Sequence, residues 1–170
     1  MSGRALLGAF ALGFAVIGAA GAGLNANWSD HLTGAQEVPA RPTQAQGQAI
    51  FHLSDDGNSL SYKLMATNIQ NVVQAHIHLG RAGANGNIVV FLYGLVPPAG
   101  GRHNGVLATG TIMEDDLIND LADASLDDLV AAMRNGNAYV NVHTNDGVAP
   151  TNTGPGDFPG GEIRAQIIEE

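Results

Sequence analysis

The chain has 170 residues, including 23 glycines, seven prolines and no cysteine, and its formal net charge is −9 at pH 7. This length suits one domain, and the lack of cysteine excludes disulfides, zinc–thiolate sites, iron–sulfur clusters and thiol nucleophiles. Seven basic residues against sixteen acidic ones give no positive field to attract phosphates, so nucleic acid is not expected as a partner.

The N-terminus carries an uncharged apolar segment, Ala5–Leu24, after a short start with one positive charge at Arg4. Residues 1–26 are therefore predicted to be an export signal or anchor helix, and residues 27–170 the domain. Small residues at 20–22 and 24–26 offer cleavage sites, whereas the length of about 20 residues matches a membrane span. A retained span would leave the N-terminus in the cytoplasm and the domain outside, in the periplasm or at the cell surface.

The rest of the chain consists mainly of short apolar runs separated by turn residues, which indicates β-strands. The clearest hairpin has its Asp-Gly turn at residues 55–58. The continuously apolar run Ile88–Leu92 predicts a central strand covered on both faces. Predicted strands cover residues 28–33, 48–53, 60–66, 72–79, 88–95, 106–112, 137–144 and 161–167.

One helical passage is predicted over residues 114–135, with Ser125 and Asp128 as a capping box and Gly136 ending the helix. The predicted fold class is therefore mainly β: an antiparallel β-sandwich with one short helical segment, preceded by the N-terminal hydrophobic helix.

Two strands carry the side chains of chemical interest. His76 and His78 alternate with Ala75, Ile77 and Leu79, so both imidazoles point to the same face of their strand. His143 stands on a second alternating strand, at residues 137–144. The three imidazoles would meet if these strands were neighbours.

Several motifs, in order along the chain, resemble a CHRD (chordin) domain: LTGAQEVP at 32–39, AHIH at 75–78, YVNVHT at 139–144 and PGGEIR at 159–164. The resemblance extends over roughly residues 30–168. It implies an immunoglobulin-like or superoxide-dismutase-like antiparallel Greek-key sandwich in an exported or surface protein, and it implies no activity. One departure is the plain Gly80–Gly83 segment, which lacks the Gly-Pro start common in the family.

The histidines admit two interpretations. In the first, His76, His78 and His143 bind one copper or zinc ion, since imidazole nitrogens suit both metals. Cu/Zn superoxide dismutase shares the sandwich architecture and a His-x-His strand motif. A dismutase site needs further imidazoles and a carboxylate, however, and the remaining histidines, at positions 31, 52 and 103, lack a matching spacing.

In the second interpretation the same three histidines form a buried hydrogen-bonded network with Glu162 and Arg164, because buried polar groups need partners. Glu162 and Arg164 lie two residues apart on one face, so they are able to pair with each other or with the histidines. No catalytic set stands out, so the chain is more consistent with a non-enzymatic protein than with an enzyme.

Three functions follow from these observations. The first is a non-catalytic, membrane-anchored structural or accessory subunit of a larger membrane complex, with the anchor in the membrane and other membrane proteins as partners. The second is an exported copper- or zinc-binding metalloprotein. The third is a secreted adhesive or filament module whose sheet edges pair between copies.

Overall fold

The computed structural model describes residues 26–169. Eight strands and one α-helix account for half of them. The strands are β1 Asn27–Thr33, β2 Gln46–Leu53, β3 Leu60–Gln70, β4 Val72–Leu79, β5 Ile88–Gly94, β6 Arg102–Ile112, β7 Ala138–Thr144 and β8 Ile163–Gln166, and the helix α1 is Leu126–Arg134.

All strands pair antiparallel in one sheet, in the order β5-β4-β7-β8-β1-β2-β3-β6. The halves β5-β4-β7-β8 and β1-β2-β3-β6 join where Thr33 pairs with Arg164. The edge strands β5 and β6 approach each other, and the Tyr62 hydroxyl donates a hydrogen bond of 2.7 Å to the Leu92 carbonyl. The mainly antiparallel β prediction is confirmed, but the sheet curves almost into a barrel and does not divide clearly into two separate layers.

The apolar run Ile88–Leu92 lies in β5, which is not a central strand, contrary to prediction. β5 pairs with β4 alone and is an edge of the sheet, and the Phe91 side chain is 48% exposed. Val89, Val90 and Leu92 are buried. A continuous apolar run does not reveal which neighbour is missing, because strand order depends on contacts with distant parts of the chain.

The helical passage is shorter than predicted. Two 3₁₀ turns, Glu114–Asp116 and Asn119–Leu121, precede α1 and replace its first part. Asn119 has φ +52°, a left-handed conformation that interrupts an α-helix. The Ser125–Asp128 capping box is present, and α1 buries its apolar face in the core through Leu126, Leu129, Val130 and Met133.

The connection between β3 and β4 is the single residue Asn71, with φ +53°. β3 and β4 lie in different halves of the sheet, so the chain crosses from one half to the other at this residue. Asn71 is fixed there by backbone hydrogen bonds with Gly101 and Asn145 and by side-chain bonds with Gly101 and Gly156. This turn places β4 against β7.

The strands β4 and β7 are buried on both faces. Their inner face contributes Ala75, Ile77, Val140 and Val142 to the core. Two loops, residues 80–87 and 145–162, provide hydrogen-bond partners to His78, Tyr139 and His143 on the opposite face. The side chains of that outer face, including the histidines, are therefore enclosed between the sheet and the loops.

The predicted anchor, Ala5–Leu24, lies outside the described residues. Within residues 26–169, no helix has the length and apolar character needed to cross a membrane.

Candidate metal site

The three predicted histidines come together on the outer face of β4 and β7. In the antiparallel register His76 faces Asn141, and Gln74 faces His143. His143 is thus two positions from the residue opposite His76, and all three imidazoles project from the same face. His76 is completely buried, and His78 and His143 are each 6% exposed.

The imidazole nitrogens are close enough to share one ion. One ligand nitrogen from each of His76, His78 and His143 lies within 4.8 Å of the others. The closest pair is His76 Nδ1 and His143 Nε2, which are 3.1 Å apart. Two nitrogens bound to a tetrahedral ion at about 2.0–2.1 Å are about 3.3 Å apart, so this spacing needs little adjustment.

Backbone carbonyls in the two covering loops fix the tautomers of two rings. His78 Nδ1 donates a hydrogen bond of 2.9 Å to the Gly86 carbonyl, and His143 Nδ1 donates one of 2.9 Å to the Pro159 carbonyl. In the neutral rings, each Nε2 then carries a lone pair. A hydrogen bond from Nδ1 to a carbonyl oxygen orients metal-bound histidines in the same way in many proteins.

Two ring nitrogens lack any hydrogen-bond partner among the described residues: His76 Nε2 and His78 Nε2, both buried. A network that was purely structural would satisfy such atoms, because an unpaired buried polar group costs free energy. An ion bound by the Nε2 lone pair of His78 would give a partner to one of these two unpaired nitrogens.

The site favours uncharged imidazoles. Burial, followed by the charges of His143 and His78, lowers the pKa of His76 from 6.5 to about 3. Burial also lowers the pKa of His143 to about 4, despite the opposing hydrogen bond to the Pro159 carbonyl. The pKa of His78 is lowered too, chiefly by burial. Neutral imidazole is the form in which a histidine binds metal, and the rings are in that form at neutral pH.

Aromatic side chains enclose the rings. Phe91 packs against His76 at 4.6 Å between ring centroids, nearly perpendicular. Tyr139 stacks on His78 at 4.7 Å with an angle of 7° between the rings. A cleft of about 580 Å³, lined by His78, Gly86, Asn87, Ile88, Asn119 and Asp120, adjoins the cluster.

Glu162 and Arg164 are both buried, but neither forms a hydrogen bond to a histidine in the part of the chain that the structure describes. Among the described residues, Glu162 and Arg164 form no salt bridge with each other, and the salt bridge found there joins Arg134 to Glu169. The predicted direct network is thus replaced by indirect contacts. Arg164 covers the Tyr139 ring at 3.4 Å, and Glu162 holds the hydroxyl of Thr144, next to His143.

Sequence reasoning did not single out two other residues of the site, Asn141 and Glu37. Asn141 is 3% exposed and lies beside His143. In the sequence, the feature that could have indicated it is its polar side chain between Val140 and Val142 in an alternating strand. Glu37 lies in the LTGAQEVP motif. Burial raises its pKa from 4.5 to about 7, although Arg164, Arg41, the Val38 amide and Asn141 all lower it. The histidines at 31, 52 and 103 lie outside the cluster.

Fold and site together define a class of protein: a single antiparallel β domain with a buried three-histidine cluster on the outer face of its sheet. The chain belongs to the CHRD domain family, whose family model matches residues 28–167. This match confirms the resemblance seen in the separate motifs. Comparisons with curated proteins and with solved structures gave no match.

Proposed function

We propose that this CHRD domain is an exported metal-binding module in which His76, His78 and His143 hold one copper or zinc ion. The observation that carries the proposal is the convergence of three neutral imidazoles within 4.8 Å, two of them with Nδ1 fixed by a backbone carbonyl. Three nitrogen ligands suit both copper and zinc. A copper ion would add one-electron chemistry, and zinc would not.

The choice between metal site and structural network depends on the unpaired ring nitrogens. Both interpretations explain burial, and both explain the hydrogen bonds to Gly86 and Pro159. The metal site also explains why His78 Nε2, a buried lone pair in the fixed tautomer, has no donor near it among the described residues. The adjoining cleft provides a route for an ion to reach His78 from solvent.

The test uses the full-length protein, purified in mild detergent, stripped with a chelator and dialysed against Cu²⁺ or Zn²⁺. Elemental analysis is expected to give one ion per chain, and His76→Ala and His78→Ala should abolish it. His31→Ala is the matched control, because His31 is exposed on β1 and outside the cluster. His78→Gln, which keeps a polar group in place, covers the case in which alanine unfolds the domain. A folded wild type that binds no more metal than His78→Gln would overturn the proposal.

The second part of the proposal concerns location. We infer from the sequence of Ala5–Leu24 that the domain is held on the outer side of a membrane as a non-catalytic accessory subunit of a larger complex. An exposed apolar surface favours a protein partner: Leu95 is 75% exposed beside a groove of about 510 Å³ that includes Val73, Val96, Pro97 and Pro98.

Intact mass and gentle extraction of the native membranes test this second part. A full-length mass together with co-purifying membrane proteins is the expected result. A mass that begins after residue 22 or 26, with the protein free in the extracytoplasmic fluid, would contradict the anchor and leave the metal proposal unaffected.

A further inference from the structure

Asn141 has an unusual position for an amide side chain. It lies on β7 directly opposite His76 on β4 and projects to the same outer face as the three histidines. Its side chain is enclosed, and its Oδ1 atom lies 2.9 Å from His143 Nε2. Its side chain also lies near His78, where it opposes the effect of burial on the pKa of that ring, although His78 Nε2 has no hydrogen bond of standard geometry. Asn141 therefore stands at the centre of the cluster.

The contact between Asn141 Oδ1 and His143 Nε2 joins two atoms that both carry lone pairs. His143 Nδ1 is the protonated nitrogen of the ring, because it faces the Pro159 carbonyl, which can only accept. His143 Nε2 is then an acceptor, and so is the amide oxygen. Two acceptors at 2.9 Å repel each other unless a cation lies between or beside them. His76 Nδ1 lies 3.1 Å from the same Nε2 and donates to it when it carries the ring proton, whereas the amide oxygen has no proton to donate.

The other end of the amide fixes its orientation. Asn141 Nδ2 lies on the side of the Glu37 carboxyl group, although Glu37 Oε1 has no hydrogen bond of standard geometry. Gly161 leaves the space in which the two groups meet: a Cβ atom at that position would lie 2.8 Å from Asn141 Nδ2 and would also collide with Glu37. With the amide nitrogen on the Glu37 side, the amide oxygen lies on the histidine side.

We infer that Asn141 Oδ1 is the fourth ligand of the metal site, completing a set of three nitrogens and one oxygen around a divalent ion. The inference rests on the proposed function, which supplies the ion. Four ligands complete a tetrahedral shell. The harder amide oxygen favours Cu²⁺ or Zn²⁺ over Cu⁺, which prefers soft ligands. Glu37 acts behind it as a positioning residue, by holding the amide nitrogen.

Isosteric variants of Asn141 in the full-length protein test this assignment. Asn141→Leu keeps the volume and removes the oxygen, so binding of Zn²⁺ and Cu²⁺ in chelator competition should weaken by about 10–100-fold, the range seen when groups that support a metal are lost. One ion per chain should still bind at high concentration, because the three histidines remain. Asn141→Asp keeps an oxygen ligand but places a carboxylate oxygen beside Glu37, so its binding should lie closer to wild type than that of Asn141→Leu.

A spectroscopic measurement separates ligation from a structural role. The visible absorption of the Co²⁺-loaded protein reports the ligand set, and it should change in Asn141→Leu and stay near that of wild type in Asn141→Asp. Unchanged affinity and spectrum in Asn141→Leu would overturn the inference while the metal site itself stands. A wild-type protein that binds none of the three ions would overturn the proposed function and this inference with it.

Discussion

The guanidinium carbon of Arg164 lies 3.4 Å from the centroid of the Tyr139 ring, which also stacks on His78. The guanidinium donates to the Arg81 carbonyl and to Asn85 Oδ1, at 3.1 and 3.3 Å. A third acceptor, Gln166 Oε1, lies at 3.4 Å, so the buried cation is supported by one ring and three oxygens.

Arg164→Lys should lower the free energy of unfolding by about 1–3 kcal/mol, since an ammonium group lacks the planar fork needed to reach these oxygens and to stack. Urea unfolding measures the loss. Arg134→Lys is the control, because Arg134 is more exposed and its salt bridge to Glu169 lies at the surface. An equal, small effect for both variants would contradict the role given to Arg164.

Glu162 accepts three hydrogen bonds that join distant segments: from the hydroxyl groups of Thr43 and Thr144, at 2.6 and 2.7 Å, and from the Gly156 amide at 2.8 Å. The Thr43 hydroxyl accepts from the Ala45 amide and the Thr144 hydroxyl from the Phe158 amide, so both must donate to Glu162.

Glu162→Gln should therefore cost about 2–4 kcal/mol of unfolding free energy, because the NH₂ group replaces one accepting oxygen and cannot accept the hydrogen bonds that this oxygen received. Hydrogen exchange should show faster opening of the loop at residues 145–161. Glu114→Gln is a suitable control, since that carboxylate is exposed. A change no larger than that of the control would mean that Glu162 does not hold the loop.

The buried histidines predict acid sensitivity in the metal-free protein. The pKa values of His76 and His143 fall to about 3 and 4, below the unfolded value of 6.5, so the unfolded chain takes up protons first. Stability is then fully present above about pH 6.5 and is lost as the pH falls towards 4, by at most about 1.4 kcal/mol per pH unit for each histidine. Urea unfolding across this window, with chelator present, measures the slope. His143→Gln should make it shallower, and an unchanged slope would contradict the prediction.

Glu37 has the opposite pH dependence. Its pKa of about 7 exceeds the unfolded value of 4.5. Its stabilising contribution to the free energy of unfolding is therefore present below about pH 4.5 and is lost as the pH rises through 7. Glu37→Gln removes that loss. Relative to wild type, the variant should be more stable at pH 8 than at pH 4, by on the order of 2 kcal/mol. Paired unfolding curves at the two pH values measure the difference, and a difference of zero or of opposite sign would contradict it.

Gly161 and Gly83 offer a matched pair of alanine substitutions. Both have positive φ, +121° and +79°, so both variants cost backbone strain of about 1–2 kcal/mol. A new Cβ at Gly83 meets nothing within 4 Å, whereas one at Gly161 collides with Glu37 and Asn141. Thermal unfolding should show the larger loss for Gly161→Ala, and metal binding should weaken in that variant alone. Equal losses in the two variants would mean that the collision is relieved at no cost.

The sequence predicted those features of the site that depend on local periodicity. The period of two in β4 and β7 places His76, His78 and His143 away from the core face, and only the neighbouring position of the two strands had to be assumed. That position arises from β4 crossing at Asn71 into the other half of the sheet, a contact between distant segments that no local pattern encodes.

The parts that were missed depend on loops and on strand order. Glu37 reaches Asn141 only because the loop that contains Gly161 has no side chain between them. β5 is an edge strand because it pairs with β4 alone, whereas its apolar sequence resembles that of a strand covered on both faces. Likewise, the left-handed backbone conformation of Asn119 interrupts the passage that was predicted to be helical, although the flanking residues follow a helical pattern.

The one-residue crossing at Asn71 also limits how the domain can move. Asn71 alone connects β3 to β4, and its hydrogen bonds to Gly101, Asn145 and Gly156 hold it in place. The two halves of the sheet therefore cannot move apart by a hinge at this connection. Exchange of the proposed ion would then require opening of the loops that cover the histidines, while the strands beneath them stay in place. The rate of that exchange would be a property of these loops, and it could change without any change in the atoms that hold the ion.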